Sequence, residues 1–301
     1  MDFFENVSRQ ASGLTIQRNI PLAKYTTLRV GGAADYFAEP SSEAQLTVLL
    51  NAAREAGVPA LLMGNGSNLL IKDGGFRGLV IRLGKAFSAI DPIENGLYAQ
   101  AGALLSNLAR AAADASLTGL EFAQGIPGTV GGGVYMNAGA YGGELGKQIE
   151  FVRALDGGTV RDIPAGDMDF SYRHSRAMTE GMIVLGAAFR LEKGDKDAIE
   201  AQMRDLAARR KEKQPLEYPS AGSFFKRPAG HFAGALIQEA GLKGYTVGGA
   251  QVSEKHAGFL INVGNATAAD FLALMAHVQD TVEKRFGVRL EPEVRVIGED
   301  P

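Results

Sequence analysis

A glycine-rich stretch at residues 125–144, GIPGTVGGGVYMNAGAYGGE, constrains the fold more than any other part of the chain. It holds eight glycines in twenty positions. At the chain's average of 39 glycines in 301 residues, a window of this length would hold about two or three. Glycine permits positive φ angles and close approach of the backbone to another group. Backbone N–H groups in such a segment can converge on an anion such as a diphosphate, although tight turns alone would also use glycine.

A second glycine-rich segment, MGNGSNLLI at residues 63–71, places Asn65, Ser67 and Asn68 between two apolar runs. Residues of these types are typical of turns that are rich in hydrogen-bonding groups. The chain has no GxxxxGK[ST] segment, and no GxGxxG segment opens a helix after a first strand. We therefore expect neither a P-loop nor a Rossmann site, but two turns that could hold one long cofactor from opposite sides.

The composition excludes several classes of chemistry. The chain has no cysteine, which excludes thiolate catalysis, disulfides, iron–sulfur clusters and cysteine zinc sites. The net charge of −3 gives no indication of nucleic-acid binding. No run of about 18 apolar residues is present, and the N-terminus lacks a basic segment followed by an apolar stretch. We expect a cytoplasmic, monomeric protein without bound metal, whose partners are small molecules rather than nucleic acid or membrane.

Alternating strand and helix patterns, together with hairpin signals, predict an α+β fold. The length of 301 residues favours two domains. Near Glu192 the sequence changes to a charged helix with Ile199, Met203 and Leu206 on one face, which ends by Pro215 and leads into a second lobe. The other predicted helices are 43–56, 104–115, 231–240 and 268–286, and the predicted strands are 60–63, 69–71, 79–83, 97–101, 149–155, 159–163, 182–191, 246–252 and 258–263.

Two of these helices carry terminal signals. Ser42 with Gln45 predicts a capping box at the start of the first helix. Thr267 and Asp270 predict a cap for the last helix, and Gly287 predicts its end.

Seven sequence blocks occur together from about residue 19 to the C-terminus. They resemble the UDP-N-acetylenolpyruvoylglucosamine reductase family, flavoenzymes of bacterial cell-wall synthesis, in its shorter subgroup without an inserted substrate-covering loop. The blocks are NIPLAKYTTLRVGG (19–32), GNGSNLL (64–70), GIPGTVGGGVYMNAGAYG (125–142), SYRHS (171–175), PSAGSFFKRP (219–228), SEKHAGFLIN (253–262) and EPEVRVIG (291–298).

The resemblance implies a fold, a reaction and its cofactors. It implies an FAD-binding domain of the vanillyl-alcohol-oxidase (PCMH) type at 1–192, which 291–301 could join, and a smaller α+β substrate-binding domain at 193–290. It also implies NADPH as co-substrate and reduction of UDP-N-acetylglucosamine enolpyruvate to UDP-N-acetylmuramate. The FAD-binding residues that it implies are Gly64, Asn65, Gly66, Ser67, Asn68, Leu69, Gly125, Ile126, Pro127, Gly128, Thr129, Gly131, Gly132, Asn137, Ala138 and Gly139.

Three residues match the catalytic positions of the family. Hydride addition to an enol ether conjugated to a carboxylate builds carbanion character, which must be stabilised until a proton arrives. Reduced FAD supplies the hydride, since no side chain can donate one. Arg173 matches the arginine that binds the carboxylate, Ser223 matches the serine that gives the proton, and Glu293 matches the active-site glutamate.

Each of these assignments has an alternative. An arginine such as Arg173 is, in isolation, more often a surface ion-pair residue. Ser220 and Ser223 could be loop residues that bond to their own backbone. Pro292 favours an extended backbone, so Glu291 and Glu293 should face the same side of a strand, and the sequence does not choose between them.

The resemblance also assigns four residues to the substrate. Lys213 matches a lysine near the diphosphate, and we expect Tyr172 to pack beside the flavin or the substrate. Arg227 stands where the family usually has asparagine, and Glu239 matches a substrate contact but could equally lie on an exposed helix face.

Two other functions remain open at this stage. A flavin oxidase acting on an alcohol or amine would consume oxygen. A regulator that binds flavin or nucleotide sugar would bind ligand without turnover.

Overall fold

The strands of the computed structural model, which describes residue 7 and residues 13–301, are mostly short. They are β1 (Ile16–Pro21), β2 (Ala33–Ala38), β3 (Ala60–Met63), β4 (Leu69–Ile71), β5 (Phe76–Arg82), β6 (Ile90–Ile93), β7 (Gly96–Gln100), β8 (Leu117–Thr118), β9 (Gly139–Ala140), β10 (Gly143–Glu144), β11 (Ile149–Asp156), β12 (Thr159–Pro164), β13 (Ile183–Arg190), β14 (Glu192–Lys193), β15 (Ser220–Ser223), β16 (Thr246–Val247), β17 (Ala250–Val252), β18 (Phe259–Asn262) and β19 (Arg295–Ile297).

Helices alternate with these strands, so the predicted α+β class is confirmed. Within the described residues, no helix is both long enough and apolar enough to cross a membrane. The α-helices are α1 (Glu43–Glu55), α2 (Leu105–Asp114), α3 (Val130–Tyr135), α4 (Arg176–Glu180), α5 (Lys196–Lys213), α6 (Ala233–Glu239) and α7 (Ala268–Phe286).

The chain forms two compact units, and both are discontinuous in sequence. Unit 1 contains the described residues up to Gln17, Phe37–Asn65 and Leu79–Arg210. Unit 2 contains Arg18–Tyr36, Gly66–Gly78 and Lys211–Pro301. The domains predicted from the sequence, 1–192 and 193–290, are instead continuous ranges. The assignment of FAD to 1–192 and of substrate to 193–290 remains a prediction about ligands.

The core of unit 1 lies on the antiparallel sheet β12-β11-β13-β7-β6. Helix α2 contributes a buried face with Leu105, Leu108 and Ala112, whose spacing matches the helical repeat. The predicted hairpin of β11 and β12 is confirmed, with Asp156 paired to Thr159. Gly157 and Gly158 both have positive φ angles, as a two-residue hairpin turn requires.

The core of unit 2 combines the sheet β15-β18-β17-β16 with helix α7. Phe271, Leu274, Val278 and Val282 form the buried face of α7. The bounds of α7 are those predicted, because strong signals mark both ends. Thr267 and Asp270 form the predicted capping box, and Gly287 ends the helix in the left-handed conformation.

Two local predictions need correction. The side chain of Ser42 caps α1 as predicted, but the Gln45 side chain accepts hydrogen bonds from the backbone N–H and hydroxyl of Ser41. The predicted capping box is therefore only half formed. The predicted strand 246–252 is a hairpin of β16 and β17, because Gly248 takes a positive φ angle and turns the chain.

Asp270 provides a test of how the start of α7 is stabilised. Its carboxylate accepts hydrogen bonds from the N–H groups of Thr267 (2.9 Å) and Gly249 (3.1 Å). These bonds, with Thr267 the larger contributor, hold the pKa of Asp270 below its ordinary value. Because the folded pKa is the lower one, this stabilisation is present above the unfolded pKa and is lost as the pH falls through the folded pKa.

We expect Asp270→Asn to lower the free energy of unfolding by about 1 kcal/mol at neutral pH. Its deficit should shrink below about pH 4, where Asp270 of the unfolded parent chain begins to bind a proton. Urea unfolding at several pH values measures both effects. Asp280→Asn, on an exposed position of the same helix, is the control. Equal losses in the two variants would contradict the proposed role of Asp270.

Candidate active site

The first residues of the 63–71 segment lie against the longer glycine-rich segment within unit 1. The Asn65 side-chain amide donates a hydrogen bond of 2.7 Å to the carbonyl of Pro127, across 62 residues of sequence. A Cβ atom on Gly64 would lie 2.2 Å from the Thr129 hydroxyl oxygen, which is closer than atoms can pack. Gly64 is therefore required by close approach of the second segment. The tight-turn alternative does not account for this contact.

Both segments present backbone N–H groups that donate no hydrogen bond to another described residue. Among the described residues, the N–H groups from Gly64 to Asn68, and those of Gly128, Thr129 and Gly132, donate no hydrogen bond. Gly66 has a positive φ angle of 60°, a backbone conformation that occurs in anion-binding turns. A diphosphate needs donors of this kind, so each segment by itself fits a role in binding the FAD that the resemblance implies.

Asn137, a predicted FAD residue, directs its side chain into the protein. It is 1% exposed, its Nδ2 donates to the Ser171 carbonyl (2.9 Å), and its Oδ1 accepts from the Gly146 N–H (2.9 Å). Contact with a cofactor through this buried amide is not available in this arrangement. The prediction that Asn137 binds FAD therefore rests on its backbone alone.

Arg173 lies in a tight turn of unit 1 that is closed by mutual backbone hydrogen bonds between Ser171 and His174 (3.2 Å each). Its φ angle of 55° is uncommon for a residue with a side chain and is typical of functional turns. Its guanidinium donates to the Gly139 carbonyl (3.2 Å) and lies 5.0 Å from the ring centre of Tyr172, which is half exposed. The turn thus places the predicted carboxylate-binding arginine beside the glycine-rich segment.

Ser223 lies at a β-bulge in unit 2. Ser220 pairs with Ile261 and Ser223 with Phe259, so β15 contains one residue more than its partner strand. Gly222 takes a φ angle of 77° at this irregularity. A bulge redirects the following side chain, and Ser223 is exposed. The hydroxyls of Ser220 and Ser223 make no hydrogen bond with described residues, so the loop-bonding alternative gains no support.

Glu293 is held beside this bulge by backbone hydrogen bonds. Its N–H donates to the carbonyl of Phe224, the residue after Ser223, at 2.9 Å. Its own carbonyl accepts from the Asn68 side-chain amide at 3.1 Å, and the Asn68 carbonyl accepts from the Arg295 N–H at 3.0 Å. Asn68 and Leu69, both predicted FAD residues, thus adjoin the Glu293 segment, since Leu69 pairs with Arg295 in parallel strands.

The structure distinguishes the two candidate glutamates. Glu291 has an exposed side chain paired with the Lys226 ammonium at 3.3 Å, whereas Glu293 is half-buried. The predicted strand through both residues is wrong, because only Pro292 forms an isolated bridge, to Phe225. This geometry favours Glu293 as the functional carboxylate.

The residues predicted to bind the substrate have fewer recorded contacts with other predicted site residues than the catalytic candidates have. Lys213 ends α5 and Glu239 ends α6, and both side chains are exposed. No hydrogen bond within the described residues joins either one to another predicted site residue. The Arg227 guanidinium lies 4.5 Å from the centre of the Phe232 ring. The exposed position of Glu239 agrees with its alternative as part of a helix surface.

Sequence reasoning missed Arg210, which lies against the glycine-rich segment in unit 1. A Cβ atom on Gly125 would be 2.5 Å from its Nη1, and burial lowers its pKa. Its Nε and the Oε1 of Gln124 are buried and lack hydrogen-bond partners among the described residues. Orphaned polar atoms beside Gly125 are consistent with a missing polar group there. The available signal was spacing, because Arg210 continues the apolar face of α5 after Met203 and Leu206.

Comparisons with known proteins agree with this geometry. A family model described as UDP-N-acetylenolpyruvoylglucosamine reductase, C-terminal domain, matches residues 214–297, and an FAD binding domain model matches residues 34–162. Two relatives carry the name UDP-N-acetylenolpyruvoylglucosamine reductase. The protein from Agathobacter rectalis is 51% identical, covering 99% of this chain and 98% of its own length. The protein from Limosilactobacillus fermentum is 49% identical, covering 98% of each chain.

A solved structure gives the same result. The UDP-N-acetylenolpyruvylglucosamine reductase from Thermus caldophilus matches with a TM-score of 0.82 and 37% identity. The match covers 95% of this chain and all of that one. The chain therefore belongs to the UDP-N-acetylenolpyruvoylglucosamine reductase family.

Proposed function

We propose that this protein reduces the enolpyruvyl group of UDP-N-acetylglucosamine enolpyruvate to give UDP-N-acetylmuramate, with FAD as cofactor and NADPH as co-substrate. The observation that carries the proposal is the pairing of the exposed Ser223 bulge with the Glu293 segment, in a chain of this family. A proton donor and a carboxylic group are the side chains that the second half of such a reaction requires. We also propose that the protein is cytoplasmic and monomeric.

The residues that would hold FAD are those of the two glycine-rich segments. The free N–H groups from Gly64 to Asn68 and at Gly128, Thr129 and Gly132 would bind its diphosphate. When bound, FAD supplies the hydride that no side chain can provide, and NADPH restores it. Arg210 and Gln124 would add polar contacts at Gly125.

Arg173 would bind the substrate carboxylate. A guanidinium offers two parallel donors to a carboxylate, and its positive charge stabilises negative charge that moves onto the carboxylate oxygens. The left-handed backbone and the contacts with Gly139 and Tyr172 limit the directions that this side chain can take. Such preorganisation lowers the barrier more than an equally charged but mobile side chain would.

Ser223 would then deliver the proton to the carbon that carries the carbanion. A serine hydroxyl is a weak acid, but a carbanionic enolate is a strong base and can take its proton at hydrogen-bond distance. Glu293 would hydrogen-bond to the carboxylate in its enolic form. Lys213 and Arg227 would bind the diphosphate of the UDP-sugar, whereas Tyr172 and Glu239 would contact the substrate without supplying positive charge.

The proposed function is tested with purified protein. We expect a yellow protein that oxidises NADPH slowly alone and rapidly when the enolpyruvyl UDP-sugar is added, with UDP-N-acetylmuramate as product by mass spectrometry. UDP-N-acetylglucosamine, which lacks the enolpyruvyl group, is the control substrate. A protein that cannot be reconstituted with flavin would contradict the proposal, and oxygen consumption with an alcohol or amine would favour an oxidase instead.

Ser223→Ala separates the two half-reactions. We expect NADPH to reduce the bound FAD at the normal rate, because no proton from Ser223 is needed in that step. Reoxidation by the enolpyruvyl sugar should slow by about 10²- to 10⁴-fold, the usual contribution of a general acid. Stopped-flow absorbance of the flavin measures both rates. Ser220→Ala, on the same strand, should change neither, and normal reoxidation in Ser223→Ala would exclude this proton donor.

A pair of glutamate variants tests the choice between the two carboxylates. We expect Glu293→Gln to slow reoxidation by at least about tenfold, because an amide cannot replace the carboxylic group in an acid–base role. Glu291→Gln should stay within about twofold, because an exposed ion pair of the kind it forms with Lys226 contributes little. The same flavin assay measures both variants. The reverse order of effects would move the assignment to Glu291.

A further inference from the structure

Asn137 connects the glycine-rich segment to the turn that carries Arg173. Its amide bridges two backbone groups, the carbonyl of Ser171 and the N–H of Gly146. Gly146 is glycine for a local reason, since a Cβ atom there would lie 3.0 Å from the Asn137 oxygen and 2.7 Å from the Phe170 ring. No side chain fits at Gly146 beside the Asn137 amide and the Phe170 ring.

Two further hydrogen bonds attach the region of the Arg173 turn to the glycine-rich side of unit 1. The Ser175 hydroxyl donates to the Tyr135 carbonyl at 2.8 Å, and the Arg173 guanidinium donates to the Gly139 carbonyl at 3.2 Å. The Asn137 amide contacts the first residue of the four-residue turn, whereas Ser175 lies just beyond the turn. Together, these bonds fix the turn on both sides of Arg173.

The backbone conformation of Asn137 suits an asparagine at this position. Its φ angle is 43°, a left-handed conformation that asparagine adopts more readily than most residues with side chains. Its side chain is almost completely buried, so both polar atoms must be satisfied inside the protein. Asparagine provides one donor and one acceptor at the correct places, and aspartate would provide only acceptors.

We infer that Asn137 is a positioning residue for Arg173: its buried amide orients the Ser171–His174 turn so that the guanidinium points to the substrate carboxylate. The inference rests on the proposed function, which gives Arg173 that role. A small displacement of a positioned group can reduce a rate strongly without any change in its chemistry. Asn137 thus acts on the substrate step through Arg173, without touching the substrate.

The test uses the FAD-loaded full chain and the variant Asn137→Asp. This change keeps an acceptor for the Gly146 N–H but places a carboxylate oxygen against the Ser171 carbonyl. We expect reoxidation by the enolpyruvyl sugar to slow about 10- to 100-fold, with FAD reduction by NADPH within twofold of the parent. Visible circular dichroism of the flavin should be unchanged.

The decisive measurement is the same substitution in an Arg173→Ala background. If Asn137 acts only by orienting Arg173, adding Asn137→Asp to Arg173→Ala should slow reoxidation no further. An equal slowing in both backgrounds would overturn the inference. Normal reoxidation in Arg173→Ala alone would instead contradict the proposed function of Arg173, so the two failures are distinguishable.

A matched control exists in unit 2. Asn262 is also a buried asparagine, whose Nδ2 donates to the Leu28 carbonyl (3.1 Å) and whose Oδ1 accepts from the Gly264 N–H (3.0 Å). Asn262→Asp should lower the melting temperature without a selective loss of reoxidation. Asn137→Ser is the second variant should Asn137→Asp fail to fold, and the same criteria apply. Loss of flavin from both Asn137 variants would show that Asn137 retains the cofactor, and would overturn the inference.

Discussion

Close approach of the Gly64 backbone to the Thr129 side chain is the constraint on which the candidate cofactor site depends. Any side chain at Gly64 would collide with the Thr129 hydroxyl, so the two segments can approach only through glycine. The Asn65 hydrogen bond to Pro127 fixes this approach, and the neighbouring N–H groups remain free for a ligand. Four residues after Gly64, Asn68 uses its amide to hold the Glu293 carbonyl. Within unit 2, Asn68 therefore helps to position a catalytic candidate.

The three catalytic candidates depend on irregular backbone rather than on the regular parts of strands and helices. Arg173 takes a left-handed conformation in a tight turn, and Ser223 follows a glycine bulge. Glu293 lies outside any strand, and hydrogen bonds to its backbone N–H and carbonyl hold it on both sides. Left-handed conformations cost about 1 kcal/mol or more at residues other than glycine. Surrounding hydrogen bonds, such as those of Asn137, offset that cost and keep each side chain in one orientation.

The regular elements were predictable from the sequence where several local signals agreed. Helix α7 has an apolar repeat, a capping box and a terminal glycine, and its predicted bounds match the structure. The prediction of one strand at 246–252 was wrong. It relied on the apolar residues, whereas Gly248 takes a positive φ angle and turns the chain into a hairpin. Arg210 cannot be assigned from the sequence, because a run of charged residues normally marks an exposed helix face. Its burial depends on tertiary packing against Gly125, which no local pattern contains.

Local sequence patterns are also insufficient to assign roles to the site residues. Family resemblance can select residue types at matching positions, but Glu291 and Glu293 are identical in type and only two residues apart. What separates them is the set of hydrogen bonds around their backbone, through Lys226 on one side and through Phe224 and Asn68 on the other. Asn137 shows the converse, since its position suggested a cofactor contact while its bonds connect it to the Arg173 turn. Chemical role in this protein follows from hydrogen-bond connectivity, and that connectivity is long-range in sequence.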